Sequence, residues 1–365
     1  SNFSLSKKFT IQDKKQFKKI KNKKYDLCVV LRRYLNTEQV AILNRVNTKK
    51  IILCHQFFNS KIKIKKKFIK VNIEKKYIND YDFFYAFLKK INLINFNNKI
   101  VKSIKSIEKN YLVLNLSGEK QFKNIDNLET LLKIIMQNYK HKIYVIGKTL
   151  DKEMRRKIKK KLISIKSKNL INLWSKTDFK LSMKIIKYSQ FYVGFDTGLS
   201  HYASLCNKKS LILLNSGGAN KWFPHSKTIF SNTCYLIYNT ACAGCNFSGN
   251  LNKCYYKIRY CVDNIFLNRQ KLNNNFKNFI NNKLFKFTNY SDNRFISTDW
   301  NEKYKSIEFK YINKNGYLTN SYSYFKNFYY ILKNFLILFN KPKKNLAIKI
   351  LISNLSSFFY QIINR

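Results

Sequence analysis

The chain has 365 residues, and its 71 lysines and arginines stand against 19 aspartates and glutamates, a formal charge of +52. A hydrophobic content of 45% excludes wholesale disorder, and the length allows two domains with real cores. The charge points to nucleic acid, an anionic membrane surface or phosphorylated substrates, although crowding of Lys, Asn, Ile, Phe and Tyr also matches an AT-rich coding bias that needs no selection for charge.

In chain order, the opening SNFSLSKKFTIQDKK lacks the apolar core of an export signal, so a reducing cytoplasm is expected for the eight cysteines, and disulfides are not. YDLCVVLRR and KKIILCH read as strands flanking the helix TEQVAILNRV, and DYDFFYAFLKKINL reads as a further helix. Residues 1–100 therefore read as a partial N-terminal α/β domain. YLVLNLS at 111–117 reads as a buried strand and NIDNLETLLKIIMQNY as an amphipathic helix. Then follow strand KIYVIG, helix DKEMRRKIKKKLIS, strand LINLW, helix FKLSMKIIKYS, strand FYVGF, helix GLSHYASLC and strand SLILLN. This alternation predicts right-handed βαβ units and a parallel doubly wound sheet over 101–265, with ligands at the carboxyl ends of its strands. Eight of the nine glycines lie between Gly118 and Gly249, which places the working backbone in the same region. Residues 266–365 read as a Lys/Asn/aromatic-rich, mostly helical extension of unreadable role. No uncharged apolar run of about 18 residues occurs, and LAIKILISNLSSFFYQII, interrupted by Lys349, reads as an amphipathic or packed helix.

The stretch FDTGLSH, at 195–201, ends a strand and opens a helix within two residues. Amides at a helix start bind anions, Gly198 lets a phosphate approach the backbone, and Thr197 adds a hydroxyl. Asp196 is repulsive beside a phosphate and makes sense against sugar hydroxyls, while His201 in the first turn could donate to a phosphate oxygen. For these residues taken alone, an Asp/Thr N-cap with a packed histidine is the competing reading.

With its surroundings, FYVGFDTGLSHYASLCNKKSLILLN resembles the donor-site segment of glycosyltransferase family 9, the lipopolysaccharide heptosyltransferases and their relatives. INLWSKTDFKLSMKIIKYS, VLNLSGEKQFKNID and SGGANKWFPHS are similar to neighbouring segments of that family. The resemblance covers about 100–265 and extends more weakly to YDLCVVL. It implies a B-type glycosyltransferase with two Rossmann-like domains, the N-terminal one incomplete. Thr197, Gly198 and Leu199 would bind the donor diphosphate, with Lys123 (or Lys120) as counter-charge. Asp196 would hold sugar hydroxyls, His201 would assist, Thr177 would contact the base by its backbone, and Asp151 or Glu153 is a loose match to a ribose-binding acid. The family implies ADP-heptose as donor, a lipid-oligosaccharide or protein acceptor, and no catalytic metal. Family members carry a Gly-Asp loop whose aspartate serves as general base; this chain has no glycine before Gly118, and no base is assigned.

The run CAGCNFSGNLNKCYYKIRYC spaces Cys242, Cys245, Cys254 and Cys261 as four thiolates that suit a structural zinc or iron ion. Reduced, unliganded cysteines in a loop are the alternative, and relatives in the family often carry a similar cluster. Three functions follow as expectations. The first is a cytoplasmic glycosyltransferase, with peripheral contact to the inner face of an anionic membrane as a further option. The second is a truncated or inactive relative that keeps nucleotide-sugar and metal binding. The third is a binding protein for anionic surfaces, with nucleic acid the weaker partner because no recognition motif stands out.

Overall fold

The computed structural model describes residues 23–31, 34–54, 57–59, 63–71, 80–92, 109–117, 125–215, 223, 232–241, 260–283, 287–291, 295–297, 309–312, 318–320, 324–340 and parts of 344–359. The chain divides into two compact units, Ser1–Phe96 and Asn97–Arg365.

In the first unit, strands β1 (Tyr25–Val30), β3 (Thr48–Cys54) and β5 (Phe68–Val71) form a parallel sheet in the order β1-β3-β5. A second parallel pair joins β2 (Tyr34–Asn36) to β4 (Phe57–Asn59). Alternation along β3 divides the core. Ile51 and Leu53 pack with Val40 and Leu43 of helix α1 (Thr37–Arg45), whereas Ile52 packs with Phe87 of α2 (Asp80–Lys90). Successive strand residues point to opposite faces, so one apolar run serves two helices.

The second unit is built on a seven-stranded sheet, every described pairing of which is parallel. Its strands are β6 (Lys109–Asn115), β7 (Lys142–Ile146), β8 (Leu170–Asn172), β9 (Ser189–Phe195), β10 (Lys209–Leu214), β11 (Thr233–Ile237) and β12 (Phe287–Asn289). The order β12-β11-β10-β9-β6-β7-β8 places β7 and β8 on one side of β6 and β9 to β12 on the other. The winding thus reverses between β6 and β9, and open α/β sheets bind ligands beyond the carboxyl ends at such a point.

Helices cover both faces. α3 (Asp126–Asn138), α4 (Lys152–Ser164) and α8 (Arg269–Ile280) bury Leu128, Leu131, Leu132, Ile158, Leu162, Phe276 and Phe279 against Leu112, Leu114, Val145, Phe191 and Leu213. α5 (Phe179–Tyr188) and α6 (Gly198–Leu205) bury Ile186, Leu199 and Ala203 against Val113, Tyr192, Ile212 and Tyr235. α4 begins where Asp151 accepts the Met154 amide at 3.0 Å, and α5 where Asp178 accepts the Leu181 amide at 2.7 Å. Such caps contribute about 1 kcal/mol each.

A short helix α7 (Tyr260–Asp263) precedes α8. Beyond the sheet, β13 (Phe295–Ser297), β14 (Phe309–Ile312) and β15 (Leu318–Asn320) make an antiparallel three-stranded sheet, and α9 (Tyr324–Phe339) follows. No helix among the described residues is long and apolar enough to cross a membrane.

The larger core rests on α3. Leu132 is fully buried in it, so Leu132→Ala should remove about 2–5 kcal/mol of stability by opening a cavity. Urea unfolding monitored by circular dichroism measures it, as a lower midpoint with an unchanged slope.

Candidate functional site

The rim at the reversal is assembled from the ends of β6 and β9. The last residue of β6, Asn115, is buried. Its side-chain amide donates to the Tyr192 hydroxyl at 2.7 Å and to Thr197 Oγ1 at 3.0 Å, while its Oδ1 accepts the Ser117 amide at 3.0 Å. Since Tyr192 accepts from Asn115, its own proton goes to Ser200 Oγ, 2.8 Å away, and Ser200 donates in turn to the Phe195 carbonyl. Burial pushes the Tyr192 phenol well above its ordinary pKa, so it stays a neutral link in this chain. The Thr197 hydroxyl accepts from Asn115 and keeps its proton for Ser200 Oγ, at 3.3 Å, or for a ligand.

Gly194 makes the link possible. A Cβ there would stand 2.8 Å from the Tyr192 hydroxyl and 3.0 Å from its ring, so the missing side chain is the path by which the tyrosine reaches the rim. Just past the end of β7, on the far side of β6, Gly147 has φ +113°, and a Cβ would meet the Ser117 amide at 2.6 Å. Only glycine suits that conformation and that close approach. The Ser175 amide donates to the Gly147 carbonyl at 2.7 Å, and the Trp174 indole donates to the Leu116 carbonyl at 3.3 Å. These bonds tie the loop after β8 to the same rim.

Helix α6 opens on this network. Thr197 holds the N-cap position with extended backbone, yet its side chain makes no cap bond to the helix. The Ser200 and His201 amides reach the Thr197 carbonyl at 3.0 and 3.2 Å, and the Gly198 and Leu199 amides head the helix. The helix dipole adds positive potential at this end. Gly198 contrasts with the other two glycines: a Cβ would meet nothing within 4 Å, and its φ is not positive. Among the described residues nothing requires glycine there, and Gly198 is exposed. A helix start without a side-chain cap leaves backbone amides that can meet an anion.

Asp196, with its side chain 11% exposed, lies 3.5 Å from His201 Nε2. The imidazole stacks on Phe223, with centroids 4.1 Å apart and planes 8° from parallel. Leu199 is buried in the core, so only its backbone faces the rim.

The residues expected from sequence are placed as follows. Asp196, Thr197, Gly198, Leu199 and His201 come together at the end of β9, and Thr177 lies in the loop after β8, its hydroxyl 2.9 Å from Ser182 Oγ. Asp151 is the cap of α4, and Glu153 pairs with Lys157 at 2.7 Å. Lys123 and Lys120 lie outside the described residues, as does the SGGANKWFPHS loop apart from Phe223. The structural iron or zinc expected on Cys242, Cys245, Cys254 and Cys261 is corrected. No group of three or more His, Cys, Asp or Glu among the described residues could hold a metal ion. Cys261 is in no disulfide and packs against the large apolar core, which suits a thiol and not a charged thiolate; the other three lie outside the described residues. Sequence reading missed Asn115, Tyr192 and Ser200. Their signal was an amide ending an apolar strand and a tyrosine two residues before a strand glycine.

A family model described as glycosyltransferase family 9 (heptosyltransferase) matches residues 14–246, more than half of the chain. The chain belongs to glycosyltransferase family 9. Its B-type fold comprises two Rossmann-like α/β domains, with three strands in the N-terminal sheet and seven in the C-terminal one. Among solved structures, it is similar to the Escherichia coli heptosyltransferase WaaC with ADP, at 13% identity and a TM-score of 0.41, over 62% of this chain and 72% of that one. WaaC with ADP-2-deoxy-2-fluoro heptose gives 14%, 0.42, 62% and 71%. A family 9 glycosyl transferase from Veillonella parvula gives 9%, 0.41, 65% and 79%. These likenesses are too distant to carry an argument about the site. No curated protein sequence matches significantly.

In this family 9 chain, Tyr192→Phe should cost about 1–3 kcal/mol, because Asn115 and Ser200 lose a buried partner. Thermal melting measures it, and an unchanged melting temperature would show that the network does not hold the rim.

Proposed function

We propose that this family 9 glycosyltransferase moves heptose, or a related sugar, from ADP-heptose to a lipid-oligosaccharide or protein acceptor. The observation that carries the reading is the uncapped start of α6, open to solvent at the sheet's reversal with Asp196 beside it. The donor diphosphate would lie on the Gly198 and Leu199 amides and the Thr197 hydroxyl. The carboxylate of Asp196 would accept from sugar hydroxyls next to the phosphate. His201, held by its stack on Phe223, would donate to a phosphate oxygen. Lys123 would supply counter-charge, and the Thr177 backbone would meet the base.

As the bond to the anomeric carbon breaks, negative charge grows on the departing ADP. Fixed amides and the helix dipole stabilise that charge without reorganising, which is how such donors lower a barrier. Transfer also needs a base for the acceptor hydroxyl. Because the chain has no Gly-Asp pair, the family's base is not assigned to any residue. The same observation supports a second reading, a relative that binds the nucleotide sugar without transferring it.

The test is a thermal-shift titration at high salt with ADP, ADP-heptose, UDP and GDP. The adenine nucleotides should raise the melting temperature selectively, by about 2.7 kcal/mol of stabilisation at a hundredfold excess over Kd. Asp196→Ala should remove the gain specific to ADP-heptose over ADP. Gly198→Ala should leave the unliganded melting temperature unchanged or slightly higher, while its methyl obstructs the phosphate and weakens both ligands. No selective shift would sink the donor reading. Binding without consumption of ADP-heptose, with any acceptor offered, would favour the second.

A further inference from the structure

Helix α9 is amphipathic in an unusual sense. Its buried line is Asn327, Ile331, Asn334 and Leu338, two of them polar. Its solvent side carries Phe328, Leu332 and Leu336 at successive intervals of four, with Tyr329 alongside, and Tyr329 and Leu336 are each 59% exposed. Residues three and four apart share a helix face, so these four make one continuous apolar stripe. Other exposed apolar residues of this unit, such as Leu150, Ile163 and Leu267, are scattered over separate elements and need no partner.

The segment that follows belongs to the same surface module. Phe358 packs with Ile331, supported by Leu351 and Leu355, and its ring lies 5.6 Å from that of Phe328. Ile348, Ile352 and Phe359 are exposed there. Charge supplies the second observation. From Phe309 to the end of the given sequence there are nine basic residues and not one aspartate or glutamate. Lys333 lies next to the stripe, and Lys344 reaches over the Phe339 ring at 5.3 Å from its centroid.

We propose that α9 lies flat on an anionic lipid surface, its Phe328–Leu332–Leu336 stripe entering the headgroup boundary and its lysines meeting lipid phosphates. A second copy of the chain is a poor occupant, because two such surfaces would bring like charges together with no acid to offset them. An interfacial helix needs an apolar face flanked by lysine, as here. Crossing is excluded by length. The 16 residues of α9 span about 24 Å against an apolar thickness of about 30 Å, and one side is packed on protein. The proposal is independent of the donor-site reading.

The experiment is co-sedimentation of the full chain with vesicles of phosphatidylcholine alone and of phosphatidylcholine with phosphatidylglycerol, at low salt and at about 1 M salt. At the higher salt the screening length falls to about 3 Å, so binding by charge alone is lost. The wild-type chain should bind the anionic vesicles and stay partly bound in high salt. Leu332→Gln/Leu336→Gln should release at least about tenfold more readily, since each buried leucine is worth more than that in affinity. Both positions are exposed, so matched melting curves serve as the fold control, and Leu336→Gln alone is the milder variant. Equal release of wild type and variant in high salt would overturn the proposal in favour of charge alone. A wild-type dimer in sedimentation velocity that the double variant abolishes would overturn it in favour of a second copy.

Discussion

A buried phenol must find hydrogen-bond partners, and the rim of the larger sheet is organised around that need. Tyr192 enters the core from β9 and ends near the carboxyl ends of the paired strands β6 and β9, with its hydroxyl between Asn115 and Ser200. An unsatisfied hydroxyl there would be costly, so each partner is constrained in turn. Gly194 has to lack a side chain, Asn115 has to end β6, and Ser200 has to sit in the first turn of α6. Thr197 is drawn into the same network and away from capping its own helix. The candidate anion site is therefore a consequence of how the tyrosine is satisfied.

Charge acts differently in different places. Against so many lysines, several of the few carboxylates have identifiable structural work. Asp151 and Asp178 cap helices, and Glu129 is held by Lys133 and Lys161, which keep its pKa near about 2. Asp196 does neither. It stands at a strand end, 3.5 Å from the stacked imidazole of His201. Lys208 is buried; most lysines need no such accounting individually, since long side chains can keep their charge in water. They matter where acids vanish and apolar residues face outward, as on α9.

The two glycines at the rim and the one at the helix start answer different constraints. Gly147 and Gly194 are demanded by neighbouring atoms, and a sequence reader can see only that glycine is scarce and clustered there. Among the described residues Gly198 has no such neighbour within 4 Å of where a Cβ would stand. That distinction is invisible in the sequence, and the proposed donor site rests on it.

By itself the sequence determined the βαβ alternation, because apolar runs of strand length and helical spacings are local properties of the chain. It also determined that Asp196, Thr197, Gly198 and His201 lie at a strand–helix junction, since they are contiguous. It could not determine which strands are neighbours. Parallel pairing joins β6 to β9 across intervening elements, and the Asn115–Tyr192 bond spans 77 positions. Strand β12, three residues in an Asn- and Lys-rich run, has no local pattern to betray it. The cysteine spacing offered a metal site that the described residues do not support, because spacing along a chain fixes reach but not convergence. The outward stripe of α9 was equally hidden: the extension read only as mostly helical, and packing decided that Asn327 and Asn334 face in while Leu332 and Leu336 face water.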